Sequence, residues 1–260
     1  LDRYDDFAAY AAAKTNLVRQ ASITIVNGDD ENCVTAAEQG QNIIYYGNAP
    51  TVPNRVENGK IILHGHSVLD TARLNLHGAH NHSNILCTLL MLEAYGVSPS
   101  QALPAIETFA GLPHRMQTVS TEGGVHWVDD SKATNAHAAR ASLGAQADGT
   151  TVWIVGGLAK GGRFEDLVAD VSGKLRAVVV IGVDQEPWKS ALAGIDVPVA
   201  YIDPASPAPM DDAVAAARSH ARRGDVVLLA PACASMDQFA SYAERGERFA
   251  EAARRNDGRH

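Results

Sequence analysis

The chain has 260 residues, 46% of them hydrophobic, enough to bury one or two cores. Lys and Arg number 22 against 30 Asp and Glu, a net charge of −8 with no basic block, which argues against nucleic acid or an anionic membrane as the main partner. Cys33, Cys87 and Cys233 lack metal-type spacing, no stretch is long and apolar enough to span a bilayer, and no secretory pattern opens the chain, so a reduced, cytoplasmic setting is expected.

The first residue is Leu1 rather than methionine, and the expectation is that an N-terminal portion has been removed. Asp5-Asp6 precede residues 7–20, alanine-rich and free of glycine and proline, which predicts a capped helix. Phe7, Tyr10, Ala11, Leu17 and Val18 fall on one face, and Lys14 lies among them. Two readings of Lys14 stay open: a buried stem with a snorkelling ammonium, or a burial-lowered amine open to covalent chemistry. Residues 22–26 read as a strand ending in the turn 27–30, followed by a helix over 31–39 and strands over 43–46 and 60–63, a βαβ rhythm.

His77, His80 and His82 invite a metal reading, yet a spacing of two suits no helix face and no nearby cysteine or acid completes a set. Asn81 and Asn84 are three apart ahead of an apolar helix over 85–95, so their amides can project together toward a purine edge or phosphate; capping explains either one alone. Gly96 ends that helix, Ser98-Pro99 starts another, and 111–115 ends it. The domain boundary is placed here, giving 1–111 and 112–260. Arg115 stands on the joint, either as a grip for phosphate oxygens or as a surface arginine in a linker.

Beyond the boundary, strands over 125–128, 151–155, 177–181, 199–202 and 225–229 alternate with helices over 136–143, 164–171, 187–193, 211–223 and 238–254. Several strands are continuously apolar, as burial on both faces of a parallel sheet requires, and doubly wound sheets bind ligands beyond their C-terminal strand ends. Three loops lie at such ends. The first, 129–135, packs two carboxylates, two hydroxyls, an amide and an ammonium into seven residues. It suits a polyanionic ligand with a cation or ammonium partner, or is merely a solvated, capped loop. The second, 156–163, lacks the spacing of G-x-x-x-x-G-K-S/T, and the chain has no G-x-G-x-x-G, but its backbone amides and Lys160 suit a carboxylate. The third, 230–237, opens the last predicted helix with Ser235 at the cap position, where a carboxylate is favoured. Cys233 has no histidine close in sequence, so a nucleophilic role is unsupported.

Taken together, residues 1–4 with Ala12-Ala13-Lys14, 78–84, 112–115, 129–135, 156–160 and 230–238 resemble the Mur ligase family, in family order along nearly the whole chain. The strings over 129–135, 156–162 and 231–239 select its D-glutamate-adding branch. The resemblance implies an α/β chain: the C-terminal part of the family's central ATPase domain, then a Rossmann-like doubly wound C-terminal domain that binds D-glutamate. It implies that ATP phosphorylates the carboxylate of UDP-N-acetylmuramoyl-L-alanine and that the amine of D-glutamate attacks the acyl phosphate, in peptidoglycan precursor synthesis. By resemblance Lys14 is carbamylated and helps hold Mg2+, a hard cation that takes oxygen ligands. Lys14 and Lys132 are then the catalytic candidates. Asn81 and Asn84 match adenine-side residues, and Arg115 and Asp130 match residues around the nucleotide phosphates and ribose. Lys132, Thr134, Lys160, Ser235, Met236 and Tyr242 match those surrounding D-glutamate; at Tyr242 the family also accepts phenylalanine. The family's UDP-holding domain and Walker-type loop are missing from this sequence, so the chain is expected to be inactive by itself. The alternatives are a folylpolyglutamate synthase-like ligase, disfavoured by the strings over 129–135 and 231–239, and a standalone α/β nucleotide- or acid-binding module.

Overall fold

The computed structural model describes Tyr4 and residues 6–76 and 78–255. Leu1, Asp2, Arg3 and Asp5, which belong to the opening motif and the first predicted cap, lie outside the described residues, as do His77 and residues 256–260. The chain forms two compact units, Leu1–Ala110 and Gly111–His260.

In the first unit, α1 (Phe7–Gln20) is capped by Asp6, whose carboxylate accepts from Ala9 N at 2.7 Å. Strand β1 (Thr24–Asn27), α2 (Glu31–Ala37) and β2 (Ile43–Tyr46) make one βαβ unit with β1 and β2 parallel. The rhythm stops there. Strands β3 (Arg55–Glu57), β4 (Lys60–Leu63) and β5 (His66–Asp70) form an antiparallel meander, of which only β4 was expected. Its neighbours are short and polar, but the turn Asn58-Gly59, with φ of 50° and 71°, is the hairpin signal that would have found them. Helix α3 (Ala79–Ala94) begins at Gly78, whose φ is 99°, six residues before the expected start, so both asparagines lie inside the helix. With α4 (Pro99–Thr108) it packs Leu86, Leu89 and Leu90 onto Ile61, Leu63 and Leu69.

The burial expected for Lys14 is not found. Helix α1 buries only Thr15; Phe7 and Leu17 are 56% and 72% exposed, and Lys14 is exposed with Nζ 5.5 Å from the centroid of the Tyr10 ring. Of the stripe read in the sequence, Tyr10, Ala11 and Val18 are half-buried, and none of its residues is fully buried.

In the second unit, β6 (Gln117–Glu122) and β7 (Val125–Asp129) form a hairpin. There follow α5 (Ala136–Gly144), β8 (Thr151–Gly156), α6 (Glu165–Val171), β9 (Leu175–Ile181), α7 (Glu186–Ala191), β10 (Val199–Tyr201), α8 (Pro209–His220), β11 (Val226–Leu229) and α9 (Tyr242–Arg254). The sheet order is β10-β9-β8-β11-β7-β6, parallel throughout except at β6. Alternate residues of the central strands enter two cores, one under α5, α6 and α7 and one under α8 and α9. β6 was not expected because Gln117, Thr118, Ser120, Thr121 and Glu122 give it little apolar signal.

Strand β11 returns between β7 and β8, so the loops after these three strands meet where the order reverses. The last helix starts at Tyr242, four residues later than expected. Its cap is Ser241, which accepts from Glu244 N at 3.1 Å while Glu244 Oε2 accepts from Ala240 N at 2.8 Å. Ser235 is therefore not a helix cap; its carbonyl closes a turn with Gln238 N and Phe239 N.

Candidate functional site

The three loops at the C-terminal sheet edge are bonded to one another through the backbone. Leu158 N donates to Ala234 O at 2.8 Å and Ala234 N returns to Leu158 O at 3.2 Å, a two-residue ladder between the second and third loops. Ala232 N donates to Ala133 O at 2.9 Å, which ties the third loop to the first. Lys132 and Thr134 stand on the first loop, Lys160 on the second, and Ser235 and Met236 on the third.

One side chain reaches all three loops. Arg245 of α9 is fully buried; Nε donates to Ser131 Oγ at 2.9 Å, Nη2 to Ser131 O at 2.9 Å, and Nη1 to Cys233 O at 3.1 Å. A Cβ on Gly157 would lie 3.2 Å from the same Nη1, so the second loop passes directly beside it. Burial brings the guanidinium pKa down to about 10, against weaker opposition from Cys233, Asp237 and Asp129. A second unforeseen pair lies alongside: Asp129 Oδ2 bonds His114 Nδ1 at 2.7 Å, and Asp129 Oδ1 accepts from Ser131 N at 2.9 Å. Lys132 Nζ sits 4.1 Å from the centroid of the Tyr242 ring, and Ser131 Oγ donates to Tyr242 O at 2.7 Å.

The other expected residues are distributed as follows. Thr134 is half-buried and Asn135 caps α5, accepting from Ala138 N at 2.9 Å. Ser235 is buried, Met236 is 72% exposed, and Lys160 is exposed with φ of 50°. Arg115 is exposed, Asn81 half-buried and Asn84 exposed. Cys233 is buried, which pushes its thiol up to about 12 and leaves it a poor nucleophile.

Asp130 is buried, and its carboxylate accepts from Ser142 Oγ and from Met116 N at 3.2 Å. Burial raises its pKa above the ordinary 3.8, outweighing those two bonds. Folding therefore takes up a proton, so the associated stability is fully present below pH 3.8 and is lost as pH rises through the folded value. Asp130→Asn is expected to remove this slope. Urea midpoints of both proteins, stepped upward from pH 3.8, should show the parent's margin over the variant shrinking; parallel curves would contradict it.

Two family models match the chain: Mur ligase middle domain over residues 1–92, and Mur ligase, glutamate ligase domain over residues 114–233. This chain belongs to the Mur ligase family. It is 42% identical over 272 aligned positions to a UDP-N-acetylmuramoylalanine–D-glutamate ligase of Frankia casuarinae, covering 99% of this chain and 56% of that protein. With the ligase of the same name from Bifidobacterium longum subsp. infantis it shares 50% identity over 182 residues, 67% of this chain and 38% of that one. The chain thus spans roughly half the length of such relatives, or less. A folylpolyglutamate synthase of Mycobacterium tuberculosis, complexed with ADP and AMPPCP, shares the fold at a TM-score of 0.69 and 15% identity, over 99% of this chain and 62% of that one. A UDP-N-acetylmuramate-alanine ligase of Thermotoga maritima does so at a TM-score of 0.65 and 15% identity, over 95% and 55%.

Mur ligases are ATP-dependent and generally require Mg2+. The residues described here do not form a metal site by themselves: no three His, Cys, Asp or Glu side chains converge among them, and Lys14 stands exposed. Asn81 and Asn84 stand on the opening turns of α3 in the first unit, and Arg115 is an exposed residue of the second.

Proposed function

We infer that the second unit is the D-glutamate-binding part of an ATP-dependent ligase that joins D-glutamate to UDP-N-acetylmuramoyl-L-alanine. The observation carrying this reading is the backbone bonding between the loops that bear Lys132 and Thr134, Lys160, and Ser235. An amino diacid carries two carboxylates, and the ammonium groups of Lys132 and Lys160 with the hydroxyls of Thr134 and Ser235 are the matching donors. Tyr242 borders Lys132 with its ring, and Met236 stands exposed on the third loop beside Ser235. Held by both acid groups, the ligand keeps its amine for attack. ATP would supply the phosphoryl group for the acceptor carboxylate; in the first unit Asn81 and Asn84, and in the second Arg115 and Asp130, are each proposed as nucleotide-side residues.

In the full-length ligase, Lys132→Ala and Lys160→Ala should each weaken D-glutamate use by about 1.5–3 kcal/mol, the worth of a hydrogen bond to a charged group. Steady-state kinetics with each substrate varied in turn would check this. Unchanged kcat/KM for D-glutamate in both variants would remove the assignment. D-glutamate set against L-glutamate, each with both acceptors, separates this reading from a folylpolyglutamate synthase-like activity.

A further inference from the structure

Beneath Lys132 lies a stack of side chains in which Asp129 and His114 have no task in the reading above. Asp129 is buried, with one oxygen on Ser131 N and the other on His114 Nδ1. The His114 ring stands edge-on to Tyr242, with centroids 6.1 Å apart and planes at 80°. Above the Tyr242 ring stands the Lys132 ammonium, 4.1 Å from the centroid, inside the range where a cation is attracted to an aromatic face. Two bonds to backbone carbonyls hold the ends of this stack: Lys132 N donates to His114 O at 3.2 Å, and Ser131 Oγ donates to Tyr242 O. Helix α9 comes so close that a Cβ on Gly246 would overlap both His114 Nδ1 and Asp129 Oδ2, so the pair is fixed from behind as well.

We propose that Asp129, His114 and Tyr242 act as positioning residues that park the Lys132 ammonium on an aromatic face, so that it meets a ligand carboxylate already ordered. A lysine left to itself has a flexible four-carbon stem that must be ordered at the moment of binding. Here the ring takes most of that ordering beforehand. The ring holds the cation less strongly than a carboxylate would, so the ammonium is restrained yet still available to an anion. That Lys132 then receives a D-glutamate carboxylate rests on the function proposed above; its resting place on Tyr242 does not.

The 260-residue chain with 13C-labelled lysine tests the resting place. Ring current should shift the Lys132 Hε signals upfield, assigned by their loss in Lys132→Arg. The shift should persist in Tyr242→Phe and vanish in Tyr242→Leu. In the full-length enzyme, Tyr242→Leu should raise KM for D-glutamate about fivefold to tenfold, and Tyr242→Phe about twofold, with kcat and KM for ATP changing far less. A Lys132 signal at its random-coil position in the parent chain overturns the proposal, as does an unchanged KM for D-glutamate in Tyr242→Leu. So does an equal fall in kcat/KM for every substrate, which marks a purely structural role. A clear ring-current shift in an enzyme that does not use D-glutamate would instead defeat the functional reading and leave the stack standing.

Discussion

Arg245→Met is expected to destabilise the second unit by about 3–5 kcal/mol, because it removes the donors from three acceptors at once. Ser131 O, Ser131 Oγ and Cys233 O each receive a bond from the guanidinium, at a site fully closed to solvent. Methionine occupies the volume of the stem but supplies no N–H. Against this loss stands some relief: the site opposes the charge, as the pKa of about 10 records. Burying a cation among neutral oxygens is costly, and methionine ends that cost. The orphaned acceptors still outweigh it, since each loses water as well as its donor. Urea unfolding followed by the fluorescence of buried Trp153 and Trp188 would measure the difference. A loss below about 1 kcal/mol would mean that the loops hold one another without Arg245. Arg245→Lys should fall between the two, because one ammonium cannot reach all three acceptors in the fixed geometry of a guanidinium.

Helix α9 carries Arg245, Arg248 and Arg254, and nothing in the residue type distinguishes the buried one. Position does: Arg245, Phe249, Ala252 and Ala253 recur at helical spacing, and all are buried, so Arg245 stands on the apolar stripe. Reading that stripe requires knowing that the helix begins at Tyr242. The mixed string 235–241 blurred that start, and there the side chains of Gln238 and Asp237 accept from Gly182 N and Val183 N, contacts with a distant segment that the local sequence does not show. His114 and Asp129 were hidden for a related reason. Their pairing follows from the β6–β7 hairpin, in which Gln117 lies opposite Asp129, and β6 is too polar to announce itself.

What could be read was whatever depended on burial along a single element. The continuous apolar runs of β8 and β9 gave the parallel sheet, and proline, glycine and alanine content gave most of its helices. Lys14 marks the limit of that method. Periodicity identifies a face but cannot say how far it is covered: α1 leaves Phe7 and Leu17 exposed and Tyr10, Ala11 and Val18 only half-buried.

Gly157→Ala should be the most damaging small substitution in the second loop, and Gly161→Ala a mild one four residues on. Both glycines have positive φ, 123° and 76°, so alanine strains the backbone at either position. That strain alone is worth about 1 kcal/mol. At Gly161 nothing else lies within 4 Å of the added carbon. At Gly157 the carbon would overlap Ala234 O, the acceptor of the Leu158 N–H bond, while also crowding Arg245 Nη1 and Cys233 Cβ. Backbone must move, and what moves is the ladder joining the loops of Lys160 and Ser235. The expected loss at Gly157 is about 3 kcal/mol or more, in the range of other large steric changes in packed sites. If the second unit binds D-glutamate as proposed, a raised KM for that substrate should accompany it, because the loops part. Thermal or urea unfolding of both variants decides the matter. Equal losses would show that positive φ alone requires glycine at 157 and that the two loops tolerate separation.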